Sequence, residues 1–206
     1  MDGYDEHMLK NVEGIKSGYK RMAELVPSQT TNLLDLGCGT GLELEGIFKK
    51  LPDVKVTGID LCEDMLNQLR RKYNTKDITL LKASYTDYEF LEDSYDTVIS
   101  CETLHHLSHE EKTALYKRLY RALKKGGQYI ECDYMVMEQK EEDELYAMNA
   151  RIRKEQEIGP NEFYHFDTPC TIRNQIAMLK KAGFVEVEFI WREGNTTILV
   201  AKKGHA

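Results

Sequence analysis

Short runs rich in Val, Ile and Leu recur at residues 32–36, 54–59, 78–81, 96–100 and 128–132, and segments with helical periodicity separate them. Runs of this kind, apolar on both faces, read as strands covered on both sides. Their alternation with helices predicts a parallel sheet sandwiched between helical layers. The intervening helices are predicted over 42–51, 63–73 and 109–125. The last is the best marked: Ser108 is placed as N-cap, Glu111 completes a capping box, and Gly126-Gly127 supplies a stop.

The alternation breaks towards the C-terminus. A helix is predicted over 172–181, with Thr171 as N-cap and Gly183 behind it. Strands at 185–191 and 197–202 follow, joined by only Arg192-Glu193-Gly194-Asn195, so they must pair as an antiparallel hairpin. Val185, Val187, Phe189 and Trp191 alternate with Glu186 and Glu188, the pattern of an edge strand with one wet face. Ile198-Leu199-Val200-Ala201 is apolar throughout, which places that strand inside the sheet beside the fifth. Two segments lie outside this plan. Residues 5–26 carry Met8, Val12, Ile15, Tyr19 and Met22 at steps of four and three, predicting one amphipathic helix. Residues 136–168 carry Leu145, Met148 and Ile152 at helical spacing. Both stripes read first as packing faces, and both segments flank the ligand-binding ends of the sheet, as lid or substrate-selecting elements would.

Composition narrows the setting. The chain has 206 residues and a formal charge of -7, from 28 Lys and Arg against 35 Asp and Glu, and reads as a single domain over 1–206. No uninterrupted apolar stretch approaches the ~20 residues of a membrane span, and residues 1–7 lack the pattern of a secretion signal, so a cytoplasmic location is expected. Five scattered cysteines without a C-x-x-C pair fit reduced thiols better than disulfides or zinc. The acidic balance argues against nucleic acid as partner, and the basic pairs fall at predicted helix ends.

The strongest chemical signal is Leu33-Leu34-Asp35-Leu36-Gly37-Cys38-Gly39-Thr40-Gly41, where the first strand meets the first crossover helix. Glycines there allow a sharp turn and let a ligand lie against main-chain N–H groups. Dinucleotide sites use G-x-G-x-x-G; here position 42 is Leu42 and the third glycine is Gly41, a tighter spacing that suits a ligand without a pyrophosphate. Asp60, at the end of the second strand, stands where an acidic side chain can accept from both hydroxyls of a ribose.

With these residues the sequence resembles the class I S-adenosylmethionine-dependent methyltransferases over most of its length. Asp35, Gly37, Gly39 and Gly41 match the first motif and Asp60 the ribose acid. Tyr95 to Ser100 followed by Leu104-His105-His106-Leu107 matches the fourth-strand motif, and Tyr129-Ile130-Glu131 the fifth strand. The resemblance implies a Rossmann-like seven-stranded sheet, mostly parallel, ending in an antiparallel hairpin, with S-adenosylmethionine as cofactor. Cofactor contacts are then expected from Asp35, Gly37, Cys38, Gly39, Gly41, Asp60, Leu61, Met65, Ser84, Tyr85 and Cys101. Ser84 stands where many members carry an acid facing the adenine amino group, with Asp87 as another acceptor.

Methyl transfer from a sulfonium requires alignment and a dry site, and a base only where the acceptor must first lose a proton. His106 and Tyr134 are the expected catalytic or acceptor-orienting groups. Tyr4, His7, Glu102 and His165 are expected in the substrate pocket or lid, and the Phe163 to Phe166 cluster as an apolar wall. No metal is expected, because one short loop rarely aims His105, His106 and His109 at a single point. The reading is a methyltransferase for a small-molecule acceptor, monomeric or homodimeric. Two alternatives stay open: formation of carboxylated S-adenosylmethionine, for which Arg21, Arg151 or Arg192 would hold the extra carboxylate, and a cofactor-binding module without turnover.

Overall fold

In the computed structural model, which describes residues 3–159, 162, 164 and 166–205, seven strands form one sheet. They are β1 (Asn32–Leu36), β2 (Lys55–Asp60), β3 (Ile78–Lys82), β4 (Tyr95–Cys101), β5 (Leu123–Tyr134), β6 (Glu186–Glu193) and β7 (Thr196–Lys202). The order is β3-β2-β1-β4-β5-β7-β6, with the first five parallel and β7 antiparallel to both its neighbours. The helices are α1 (Tyr4–Asn11), α2 (Ile15–Leu25), α3 (Leu44–Lys50), α4 (Glu63–Lys72), α5 (His109–Ala122), α6 (Gln139–Glu155) and α7 (Ile172–Ala182).

Alternation of side chains along the strands builds two cores. Leu33, Val56 and Ile130 pack with α2, α3 and α4, while Leu34, Leu36 and Tyr129 pack with α5 and α7. The order reverses between β1 and β4, and ligands of open α/β sheets bind at the carboxyl side of such a switch point. β7 sits inside the sheet and is buried along nearly its whole length, leaving β6 at the edge, as its continuous apolar run predicts.

The local signals hold at α5 and α7. Ser108 and Glu111 form the reciprocal capping box, Thr171 accepts from the Asn174 N–H, and Gly183 closes α7 in the left-handed region. Four expectations need correction. The N-terminal helix breaks in two at Gly14 (φ +79°), where a Cβ would stand 2.7 Å from the Glu193 carbonyl oxygen. α5 ends at Ala122 rather than 125, because Leu123 already pairs with Tyr95 and Gly126 lies within β5. Val185, just before β6, and Phe189 on it are exposed, and an irregularity between Phe189 and Trp191 shifts the parity of the strand. On α6 the predicted stripe packs only in part: Leu145 and Ile152 are half-buried and Met148 is exposed, whereas the helix buries Glu142, which accepts from the Thr171 main-chain N–H and the Asn174 side-chain amide and pairs with His109 at 2.8 Å.

Candidate active site

The turn after β1 is clamped to β2, with the Gly37 and Cys38 N–H groups both donating to the Ile59 carbonyl (2.8 and 3.1 Å). Gly37, Gly39 and Gly41 have φ of +65°, +46° and +72°, which other residues adopt only under strain. Gly37 is required sterically as well: a Cβ there would lie 2.3 Å from Thr103 Oγ1 in the loop after β4. Gly39 is the opposite case. The nearest atom to a Cβ at Gly39 is the Gly37 carbonyl oxygen, 3.9 Å away, so the loop presents bare main chain to open space. Asp60 ties this loop to the next, accepting from the Gly39 N–H through Oδ2 (2.9 Å) and the Cys62 N–H through Oδ1 (2.7 Å). Each carboxylate oxygen retains a second lone pair for a ligand hydroxyl.

Leu61, beside Asp60, is 61% exposed despite its size, and Met65 is half-buried on α4. Tyr85 donates to the Thr103 carbonyl at 2.9 Å, whereas Ser84 is engaged with the Thr86 hydroxyl at 2.5 Å within its own turn. Asp87 is exposed, and Cys101 closes β4. A flat main-chain cradle, an acid at the β2 terminus and an exposed apolar side chain next to it fit a nucleoside carrying an amino-acid tail.

Beneath the loop, Asp35 and Glu43 are buried together. Burial and the neighbouring Glu43 hold Asp35 well above the usual carboxylate range, and burial also raises Glu43. Two acids so enclosed coexist by keeping a proton between them. α1 is clipped over this region: Asp5 accepts from the Thr40 hydroxyl and pairs with Lys72 at 2.8 Å. Tyr4 is pushed up to about 12 by burial and by the nearby Glu43, Cys101 and Asp60.

Next to it a cavity of about 580 Å³ opens at the carboxyl ends of β4 and β5, lined among others by Tyr4, His7, Glu102, His105, His106, Tyr134 and Asp167. Its floor is a buried ion pair. His105 Nδ1 stands 2.5 Å from Asp133 Oδ1, and Asp133 also accepts from the Leu104 and Tyr134 N–H groups at 2.8 Å. Burial opposes the charge on Asp133, but His105 and these donors outweigh it and hold its carboxyl below the usual range; the reverse balance raises His105. Glu102 adopts φ +49° and is pushed up to about 8 by burial and the Asp133 charge. A non-glycine residue held there stores backbone strain of the kind that clusters at functional sites. Asp167 approaches His106 Nδ1 (3.4 Å) and His105 Nε2 (3.6 Å). The Thr168 N–H donates to the His105 carbonyl at 2.7 Å, fixing this segment against the histidine loop.

Among the described residues, no helix is long and apolar enough to cross a membrane. A family model described as a methyltransferase domain matches residues 33–127. The sheet order around these residues is that of the Rossmann-like methyltransferase fold. The chain is 25% identical to the phosphoethanolamine N-methyltransferase of Plasmodium falciparum, covering 80% of this chain and 62% of that protein. It is 24% identical to the carboxy-S-adenosyl-L-methionine synthase of Nautilia profundicola, over 97% of this chain and 90% of that one. Among solved structures, a SAM-dependent methyltransferase of Methanosarcina mazei shares the fold at a TM-score of 0.65 and 17% identity, over 89% of this chain and 97% of that one.

In this fold, the glycine loop, Asp60, Leu61 and Cys101 gather at one end of the sheet, and Tyr4, His7, Glu102, His106 and Tyr134 line one cavity beside it. His165 and Phe163 lie outside the described residues. Arg21 stacks on Trp191, Arg151 pairs with Glu155 on α6, and Arg192 donates to the Met135 carbonyl and Asn195; none of the three lines the cavity. Sequence reasoning missed Glu43, His105, Asp133 and Asp167. The one available signal was Asp133 at the end of a strand entering the binding face. His105, His106 and Asp167 also bring ligand atoms within 4.8 Å of one another, a donor set of metal-binding type that a loop of imidazoles alone would not supply.

Proposed function

We propose that this chain transfers a methyl group from S-adenosylmethionine to a small-molecule acceptor. The observation carrying the proposal is the cavity lined by Tyr4, Glu102, His106 and Tyr134 at the ends of β4 and β5, at the same end of the sheet as the glycine loop. The cofactor, when bound, supplies a methyl group on a sulfonium sulfur. Gly37 to Gly41 hold its amino-acid tail on main-chain groups, together with the Cys101 carbonyl. Asp60 takes the ribose hydroxyls, while Leu61, Met65, Ser84 and Tyr85 line the base; Cys38 and Asp35 shape the loop from below.

The remaining work falls to the chain's own acceptor-side residues. Tyr134 and His106 orient the nucleophile, and His106 holds the proton of an acceptor that must lose one. Its neighbour His105, locked onto Asp133, is a positioning residue that fixes the loop on which His106 sits. α1 acts as a lid through Tyr4 and His7, closing the cavity against water. The segment 136–168 serves the substrate side through the residues that follow α6. The test is calorimetry with S-adenosylhomocysteine, followed by transfer of labelled methyl groups to a metabolite panel. Submicromolar to micromolar binding that Asp60→Ala weakens at least roughly tenfold is expected. Absence of any heat from folded, ligand-stripped protein defeats the reading.

A further inference from the structure

The walls of the acceptor cavity carry a charge pattern that bears on what it holds. Glu13, Glu102 and Asp167 line it from three different parts of the chain, and no lysine or arginine is among its lining residues. The residues outside the description include no Lys or Arg either. Arg192 is at hand, but its guanidinium is committed to the Met135 carbonyl (3.0 Å) and the Asn195 side chain (2.8 Å). Among the described residues the ion-pair partners of Glu102 and Asp167 are His105 and His106 alone.

His105 does not reverse this balance, because its charge is matched by Asp133 directly behind it. Even with Glu102 largely protonated at neutral pH, Glu13 and Asp167 leave the cavity with more carboxylate than compensating cation. A phosphate or carboxylate on the acceptor would enter a field of its own sign without a guanidinium or ammonium to receive it, and desolvating such a group unpaired is costly. A cation meets the reverse situation, and Tyr4, Met8, Val12 and Tyr134 offer apolar and aromatic surface for the rest of the molecule.

We propose that this cavity binds its acceptor as a small amine cation bearing no phosphate or carboxylate group. The inference rests on the methyltransferase reading above and names the substrate class of that same site. Glu102, its side chain nine-tenths buried, is the acid that the incoming ammonium meets at the end of β4. Once the ammonium is seated, an imidazole of the cavity can hold the proton that the nitrogen must shed to become a nucleophile.

The test is calorimetry on the full chain saturated with S-adenosylhomocysteine, using matched probes: phenethylamine, 2-phenylethanol and 3-phenylpropanoate, with ethanolamine, putrescine and phosphoethanolamine extending the range of size and charge. At least one amine without an acidic group is expected to bind roughly tenfold or more tighter than its neutral and anionic counterparts. Asp167→Asn and Glu13→Gln are each expected to weaken that binding several-fold. Equal binding of alcohol and amine, tighter binding of phosphoethanolamine or 3-phenylpropanoate, or no binding of any amine by protein that still holds S-adenosylhomocysteine overturns this inference alone. Loss of S-adenosylhomocysteine binding itself strikes the underlying methyltransferase reading instead.

Discussion

Asp35 near the end of β1 and Asp133 near the end of β5 are both at most 1% exposed, yet they are held in opposite charge states. Asp133 is met by an imidazole and two main-chain N–H groups, enough to keep it ionised in the interior. Asp35 meets another acid, Glu43, and retains a proton. Burial alone does not decide the charge of a carboxyl; the donors around it do. The two ends of the binding face differ accordingly. The side of the glycine loop rests on a pair of acids that share a proton, and the side at the ends of β4 and β5 is built around an ion pair.

Removing the ion pair should break this contrast most visibly. Asp133→Ala leaves a buried imidazole and two N–H groups unpaired, and is expected to cost about 3–5 kcal/mol in urea unfolding. A loss under 1 kcal/mol would mean that the pair contributes little to stability. Next in size, Gly37→Ala combines backbone strain of about 1–3 kcal/mol with the collision against Thr103. S-adenosylhomocysteine binding by this variant is expected to fall below detection, and unchanged affinity would remove the loop from the cofactor site.

The third expectation concerns pH. Glu102 moves from an ordinary 4.5 to about 8 on folding, so its contribution to stability is complete below 4.5 and is lost as pH rises through about 8. Asp133 has the opposite sign, its contribution being present above its ordinary 3.8 and lost on acidification. Between pH 5 and 8, Glu102→Gln should therefore flatten the decline in stability by at most about 1.4 kcal/mol per pH unit. Parallel wild-type and variant curves of unfolding free energy against pH would contradict the assignment. The smallest effect is expected for Asp35→Asn. It replaces a carboxyl that already carries a proton with an amide of the same shape, and stability should change by less than about 1 kcal/mol. A large loss there would show that Asp35 is ionised after all, and the contrast with Asp133 would fall.

Much of this architecture was legible in the chain. Apolar runs located the inner strands because a strand buried on both faces leaves no room for polar side chains, and the edge strand β6 was found from alternation and the short link to β7. The capping box at Ser108 and Glu111, the cap at Thr171 and the stop at Gly183 are local interactions, and they appeared where local signals put them. The failures share a different cause. Nothing near Gly14 signals that the Glu193 carbonyl, almost 180 residues away, will crowd it, so the N-terminal helix read as continuous. The stripe on α6 read as a packing face, yet it is Glu142 that the fold buries, because α7 and the Thr171 turn bring N–H donors to it.

The candidate site divides along the same line. The glycine spacing, Asp60 and His106 could be found from sequence because the loop is main chain and the other two sit at or just past strand ends, whose positions follow from the order of elements. His105, Asp133, Glu43 and Asp167 could not be ranked that way. The charge states of His105, Asp133 and Glu43 arise from contacts in the folded chain, as between His105 and Asp133, 28 residues apart, and Asp167 reaches His105 from 62 residues further on; a carboxyl or imidazole takes its pKa from neighbours in space. The chain by itself determined the sheet, its hairpin and the loop that a nucleoside can lie against, since those depend on periodicity and on glycine. Only the tertiary structure decided which acids stay charged and which wall of the cavity they face, because electrostatics acts through distance in the folded molecule rather than through distance along the chain.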